Sequence, residues 1–236
     1  MREMGVKQTL NGIYSSLYSH FGPQHWWPSV DMVSGKSSKR KGGPLEIAVG
    51  AILTQNTSWK NVEKAIANIK TAGLMSAKKL YSLTHDELAS LIKPSGYYNI
   101  KAKRLRAFLK LVCEGYGGSL RRLFKLETKR MREVLLSVSG IGEETADSII
   151  LYAAGKPTFV IDAYTRRILS RHGLCPAKAT YAYLKELFES NLSQDAAMFN
   201  EYHALLVRLG NTYCHARKPL CNGCPLEFMS NRNLSI

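Results

Sequence analysis

Apolar residues recur along this chain at intervals of three and four, in LEIAVGAILTQ, VEKAIANIK, KRLRAFLKLV, MREVLLSV, ADSIILYAA, TRRILSRHG and YLKELFESNL. That spacing gathers them on one side of a helix, and the Gly, Pro, Ser or Asn bounding each run is a residue that starts or stops helices. The pattern predicts a mostly helical protein. No alternating run is long enough to require a sheet, and only Thr158–Ile161 reads as a brief extended piece. Self-similarity at the spacing of a repeat protein is absent. The stretch Ser34–Pro44, SGKSSKRKGGP, is polar, basic and glycine-rich, and it reads as a mobile linker whose charges are solvated. Beside a polyanion it would add nonspecific affinity.

Composition narrows the classes. With 236 residues, 45% of them hydrophobic, the chain can build a core in one or two domains. No segment approaches the roughly 18 uninterrupted apolar residues of a spanning helix, and MREMGVKQTL lacks the apolar region of a secretory signal. A cytoplasmic protein without a membrane partner is therefore expected. Five cysteines, three of them crowded into Cys214–Cys224, are too few and too uneven for a disulfide scaffold and suit a reducing compartment. Cys113 and Cys175 have no partner nearby in sequence and read as buried apolar residues. Lys and Arg number 33 against 18 acidic residues, a surplus of +15. Such a surplus favours a polyanionic partner because each cation that meets a phosphate releases a condensed counterion. Nucleic acid leads, with an anionic membrane surface behind it.

The candidate chemistry is concentrated in two segments. In Leu135–Ala146, LLSVSGIGEETA, an apolar helix end runs into Ser-Gly-Ile-Gly and a second helix begins. Gly140 and Gly142 permit positive φ and close backbone approach, so amides at the second helix's N-terminus can meet a phosphate favoured by the helix dipole. A tight turn between two helices would explain the same glycines. Some twenty residues on, PTFVIDAYTRR ends a short extended piece in Asp162, which opens a helix. Taken alone, Asp162 is a helix N-cap. A carboxylate delivered from a buried strand end also suits the breaking of an N-glycosidic bond, where an anion stabilises the cationic sugar and can activate water.

SGIGEETA followed by FVIDAYTRRIL resembles the helix-hairpin-helix and catalytic aspartate of the endonuclease III superfamily of DNA glycosylases, and the fit extends from about Leu45 to the C-terminus. The resemblance implies an all-α fold of two helical domains. A six-helix barrel with the hairpin would occupy residues 45–154, and residues 1–44 with 155–236 would form a terminal domain carrying Asp162 and a cysteine loop, with the active site between them. Bifunctional members place a Schiff-base lysine where this chain has Glu144. Without that amine, water is the expected attacker and the enzyme is expected to be monofunctional.

Three further motifs are similar to the bacterial 3-methyladenine glycosylases of this superfamily: His25-Trp26-Trp27-Pro28, LTQNT with Trp59, and KPSGYYNIKAKR. An alkylated purine is cationic, so stacking on electron-rich indoles can select it. Trp26, Trp27, Pro28, Trp59 and Glu144 are the expected pocket. Adjacent Trp26 and Trp27 should point apart, one inward and one toward the cleft, with at least one of the three indoles structural. By the same resemblance Gln55 plugs the hole left by a flipped base and Tyr97 wedges between bases. Lys101, Lys103 and Arg104 are expected phosphate contacts, or else a solvated helix face.

Cys214, Cys221 and Cys224 match three of the four ligands of the [4Fe–4S] loop of many endonuclease III relatives, and the fourth position holds Ser230. Serine is a poor iron ligand. The loop either holds a cluster on three thiolates, with solvent, Ser230 or His215 at the fourth iron, or packs without metal. His215, Arg217 and Lys218 would in either case present charge to a DNA backbone. The reading as a whole is a monomeric, monofunctional glycosylase acting on double-stranded DNA with a damaged base, 3-methyladenine first. Its rivals are a bifunctional glycosylase and lyase using another lysine, and a helix-hairpin-helix protein that only binds DNA.

Overall fold

The computed structural model describes residues 5–30 and 37–229. The chain divides into two units, one of residues 27–156 and one that joins residues 1–26 to residues 157–236. These boundaries fall at 26/27 and 156/157, whereas the sequence reading set them at 44/45 and 154/155. The segment after Trp27 joins the continuous unit because Trp27 packs edge-on against Trp59 at 5.1 Å and against Tyr152 at 5.3 Å.

In chain order the helices are α1 (Val6–Phe21), α2 (Pro44–Leu53), α3 (Trp59–Thr71), α4 (Ala77–Ser82), α5 (His85–Leu91), α6 (Tyr98–Lys110), α7 (Leu120–Leu123), α8 (Thr128–Leu136), α9 (Glu143–Ser148), α10 (Ala163–Arg171), α11 (Tyr181–Glu189) and α12 (Ala196–Thr212). The all-α expectation holds, and every periodic run named above lies in a helix. One departure stands out. Ser37–Lys41, read as linker, is a strand (β2) paired antiparallel with Pro28–Val30 (β1). Main-chain pairing made that ribbon, and a run of Ser and Lys gives no alternating signal of it. Thr158–Ile161 is extended without joining a sheet.

In the continuous unit α2 is the central element. Residues Glu46–Leu53 are all buried, and its one acid is neutralised by Lys70 of α3 at 3.0 Å. Helix α3 shows the expected one-sided pattern, burying Val62, Ala65, Ile66 and Ile69. Helix α5 opens with a capping box: Glu87 Oε2 accepts the Thr84 amide at 2.8 Å, and Thr84 Oγ1 accepts the Glu87 amide at 3.3 Å. Those bonds to the anion hold the Glu87 carboxyl below its usual range.

The other unit is assembled from both ends of the sequence. Leu10, Ile13 and Leu17 of α1 are buried, and the Tyr202 hydroxyl of α12 donates to the Leu10 carbonyl at 2.8 Å. Phe159, Phe188, Phe199 and Tyr202 form an aromatic cluster, with Phe159 stacked on Phe188 at 3.8 Å. These rings bury the extended piece that leads to Asp162, giving it a fixed course without a sheet partner.

Candidate active site

The hairpin is α8, a turn at residues 137–142, and α9, which continues into a π-type segment at Ile149–Ala153. Arg132 of α8 clamps it. Its guanidinium makes a two-pronged pair with the fully buried carboxylate of Asp147, at 2.8 and 3.2 Å, and a third contact to Glu143 at 3.1 Å. Gly140 sits at φ +88°, where a Cβ would also lie 2.2 Å from Cγ of Arg104. Only glycine fits there. Gly142 differs from expectation, being extended at φ −92° as the N-cap of α9 with open space where a Cβ would be. Unlike at Gly140, neither backbone conformation nor space requires glycine there. Glu144 is exposed on the first turn of α9.

Gln55 is tied to this hairpin. Its amide nitrogen donates to the Gly140 carbonyl at 3.1 Å and to Thr145 Oγ1 at 2.9 Å, and its carbonyl accepts from Arg104. All three bonds reach across the unit; the local backbone bonding that a helix-end Gln permits is not what it makes. Arg104, expected on phosphate, is half-buried and holds Gln55. Lys103 is exposed as expected.

Lys101 corrects the sequence reading. It is 1% exposed, and its ammonium donates to the Leu53 carbonyl at 2.8 Å and the Ser95 carbonyl at 2.7 Å. It cannot meet a phosphate. Desolvation, helped by the charge of Arg104, pulls its pKa down to about 8. The two carbonyls belong to the end of α2 and to the turn before Tyr97, so the lysine ties the Gln55 loop to the Tyr97 turn. Tyr97 itself is 70% exposed and held left-handed at φ +45° after Gly96 at φ +67°. His25 and Asn56 are the other described non-glycine residues at positive φ. Each lies in one of the three motifs singled out above, and backbone held at such cost usually serves a site.

The tryptophans separate. Trp27 is 4% exposed, sits in the core of the continuous unit against Trp59 and Tyr152, and fills the space beside Gly50. Trp26 belongs to the other unit and is half-buried, as is Trp59. The backbone of Pro28 opens β1 opposite Lys41.

Asp162 stands at the N-cap of α10, where its Oδ1 accepts the Thr165 amide at 2.7 Å. The extended piece that delivers it is tethered by α11: Glu189 Oε1 accepts the Phe159 amide at 2.7 Å, and the Tyr181 hydroxyl accepts from the Ile161 amide at 3.3 Å. Sequence reasoning missed His203 of α12, whose Nε2 lies 3.5 Å from Asp162 Oδ2. Burial alone would raise the Asp162 pKa, but His203 opposite and the Thr165 bond outweigh it and hold the carboxyl below its ordinary value. The group is an anion, poised for charge stabilisation rather than for proton donation. The missed signal was the period of Phe199, Tyr202, Leu206 and Leu209, which marks α12 as amphipathic and puts His203 beside its inner stripe.

The other end of α10 pins the cysteine loop. Arg171 donates to the carbonyls of His215 at 2.7 Å and Ala216 at 2.8 Å and stands 3.2 Å from Cys214 Sγ, while Arg167 donates to the Cys214 carbonyl at 2.8 Å. The Cys224 amide bonds the Cys221 carbonyl at 3.1 Å. Burial pushes the Cys224 thiol up, and the nearby sulfurs of Cys214 and Cys221 add to the rise. Three thiols on one loop suit iron–sulfur chemistry, although among the described residues no group of three or more His, Cys, Asp or Glu is arranged to hold a metal ion. Ser230 lies outside the described residues. Arg217 and Lys218 are exposed, and His215 is half-buried. Cys175 is buried and Cys113 only half-buried, and desolvation raises both thiols. No helix among the described residues is long and apolar enough to cross a membrane.

Comparison with known proteins agrees with this arrangement. A protein of Methanocaldococcus jannaschii provisionally named a DNA repair glycosylase, MJ1434, is 44% identical over 91% of this chain and 92% of its own length. The structure of the Helicobacter pylori 3-methyladenine DNA glycosylase MagIII bound to 1,N6-ethenoadenine matches at a TM-score of 0.70 and 26% identity, over 88% of this chain and 98% of that one. A non-covalent endonuclease III–DNA complex matches at a TM-score of 0.76 and 18% identity, over 97% and 96% of the two chains, a likeness of fold. Residues 49–194, which span the hairpin, Asp162 and α11, match the model of the HhH-GPD superfamily base excision DNA repair proteins, and the chain belongs to that superfamily as a DNA glycosylase.

Proposed function

We propose that the enzyme is a monofunctional glycosylase that hydrolyses the N-glycosidic bond of alkylated purines, 3-methyladenine first, in double-stranded DNA. The observation that carries this reading is the Asp162 carboxylate, 11% exposed and held anionic at the head of α10. The alkylated base is cationic. Its C1′–N bond breaks with the electron pair leaving on the base, which departs neutral, and positive charge moves to the sugar. Asp162 stabilises that charge, water adds to C1′, and the carboxylate takes up the proton that the water loses. With Glu144 where a Schiff-base lysine would stand, no amine bonds to the sugar. Trp26 and Trp59, both half-buried, are the indoles assigned to stacking on the base, and Trp27 packs behind Trp59. Support for the alkyl-purine branch is the likeness to the H. pylori enzyme. Gly140, Gly142 and Lys103 bind the backbone, Gln55 fills the vacated place and Tyr97 wedges the step. On the same reading Cys214, Cys221 and Cys224 are the thiolates that would hold an iron–sulfur cluster, which would fix the fold of the loop.

Single-turnover base release from methylated duplex tests the reading. Asp162→Asn keeps DNA affinity and loses release by about 10²-fold or more. A parental rate in that variant, or a covalent adduct trapped from the parent by borohydride, overturns it. A panel of duplexes with 7-methylguanine, hypoxanthine, ethenoadenine, uracil and a thymine mismatch fixes the lesion, and release confined to the last two removes the alkyl-purine assignment.

A further inference from the structure

We propose that His203 is the positioning residue of Asp162, holding the second carboxylate oxygen and with it the direction of the negative charge. The inference rests on the reading of Asp162 as the group that stabilises the sugar cation. The carboxylate has two oxygens and one of them is fixed, Oδ1 by the Thr165 amide at 2.7 Å. Rotation about the bond to the carboxyl carbon is soft and turns both oxygens together, so the plane of the carboxylate is set jointly by the Thr165 amide at Oδ1 and by whatever faces Oδ2. What faces it is Nε2 of His203 at 3.5 Å, on a side chain that is 5% exposed. With a hydrogen on Nε2 the imidazole presents a donor toward Oδ2, whereas a bare lone pair there would face the carboxylate's own lone pairs where little water can screen them.

The frame that carries His203 is stiff, and it is shared. Glu201 accepts the Gln24 amide at 2.7 Å, which anchors the loop leading to Trp26. Tyr202, one residue on, is buried against the rings of Phe159, Phe188 and Tyr14 and bonds Leu10 at 2.8 Å. His203 follows. Three consecutive residues of α12 thus reference the Trp26 loop, α1 and Asp162 to one backbone. A charge aimed at a developing cation loses effect steeply when it is misplaced, which gives a buried imidazole at this point a use that packing alone does not require.

The test compares His203→Leu with His203→Gln, whose side-chain amide N–H reaches the place of Nε2. His203→Leu is expected to slow single-turnover release about 10- to 100-fold with duplex affinity unchanged, and His203→Gln to recover most of the loss. A parental rate in the leucine variant, or equal rates in two folded variants that bind duplex normally, overturns the inference. Should the leucine variant not fold, His203→Asn replaces it: its amide is too short to reach Oδ2, and an asparagine variant as fast as the glutamine one overturns the inference equally. Asp162→Asn is run alongside. If it excises at the parental rate, the reading of Asp162 is what has failed; if it is inert while the leucine variant is unimpaired, only the role of His203 has.

Discussion

Burying an ammonium group costs free energy even when carbonyls receive it, and Lys101 shows what that costs and where it is offset. Its two carbonyl partners lie at the end of α2 and just before Tyr97, so the charge joins two loops that the backbone alone would leave independent. Its folded pKa of about 8 lies below the ordinary lysine value of 10.5. Between those values the unfolded chain binds more protons than the folded one, so stability rises with pH across that window. Urea unfolding of the parent and of Lys101→Met at pH 7 and pH 10 is expected to show the parent gaining on the variant at the higher pH, and a gap that does not move with pH would refute it. The sequence contained a warning against placing Lys101 on phosphate. At 100° per residue, positions 101 and 103 of one helix point to nearly opposite sides, so one cation of that run had to face inward. Asp162 was readable as the residue that opens α10, because an acid ending an apolar run is a favoured N-cap, while its assignment to catalysis came from the resemblance. His203 was legible only in part, since the period of α12 puts it beside the inner stripe while nothing in the sequence says that Asp162 faces it.

Elements were more legible than contacts. Glycine and helical period together located the hairpin, and its actual strength lies in Arg132 and Asp147, a pairing of residues fifteen apart that spacing cannot reveal. The ribbon of β1 and β2 was invisible because its bonds are between backbones. The cysteine loop lies between these cases. Its spacing is plain in the sequence, while its attachment to α10 through Arg167 and Arg171 is seen only in three dimensions. Protein purified without air is expected to be brown and to contain iron, and replacing Cys214 by Ser is expected to bleach it. A colourless, iron-free preparation would show that the two arginines suffice to hold the loop.

Across the whole molecule the surplus of +15 charges is the feature read most directly from composition, and its consequence is electrostatic binding that weakens with salt. The logarithm of duplex affinity is expected to fall linearly with the logarithm of salt concentration. Lys103→Ala should lower that slope by about one phosphate's worth, and Lys101→Met should leave it unchanged because its ammonium is committed to carbonyls. A reduced slope in the methionine variant would put Lys101 on DNA after all. Domain boundaries were legible only to within the segment that follows Trp27, because what assigns that segment is the packing of an indole on distant rings.

The bond from Tyr202 to Leu10, and another from Ser16 to the Pro225 carbonyl at 2.6 Å, close the terminal unit over nearly the full length of the chain. A ribosome releases α1 before residues 27–156 and α12 after them. Until α12 is made, α1 waits for the surface it packs on, whereas residues 27–156 form one unit from a single continuous stretch of chain. A copy that stops short of Ala196 therefore reaches the cell with its hairpin built and its aspartate unsheltered. If Asp162 acts as proposed, such a copy is expected to bind duplex and release no base.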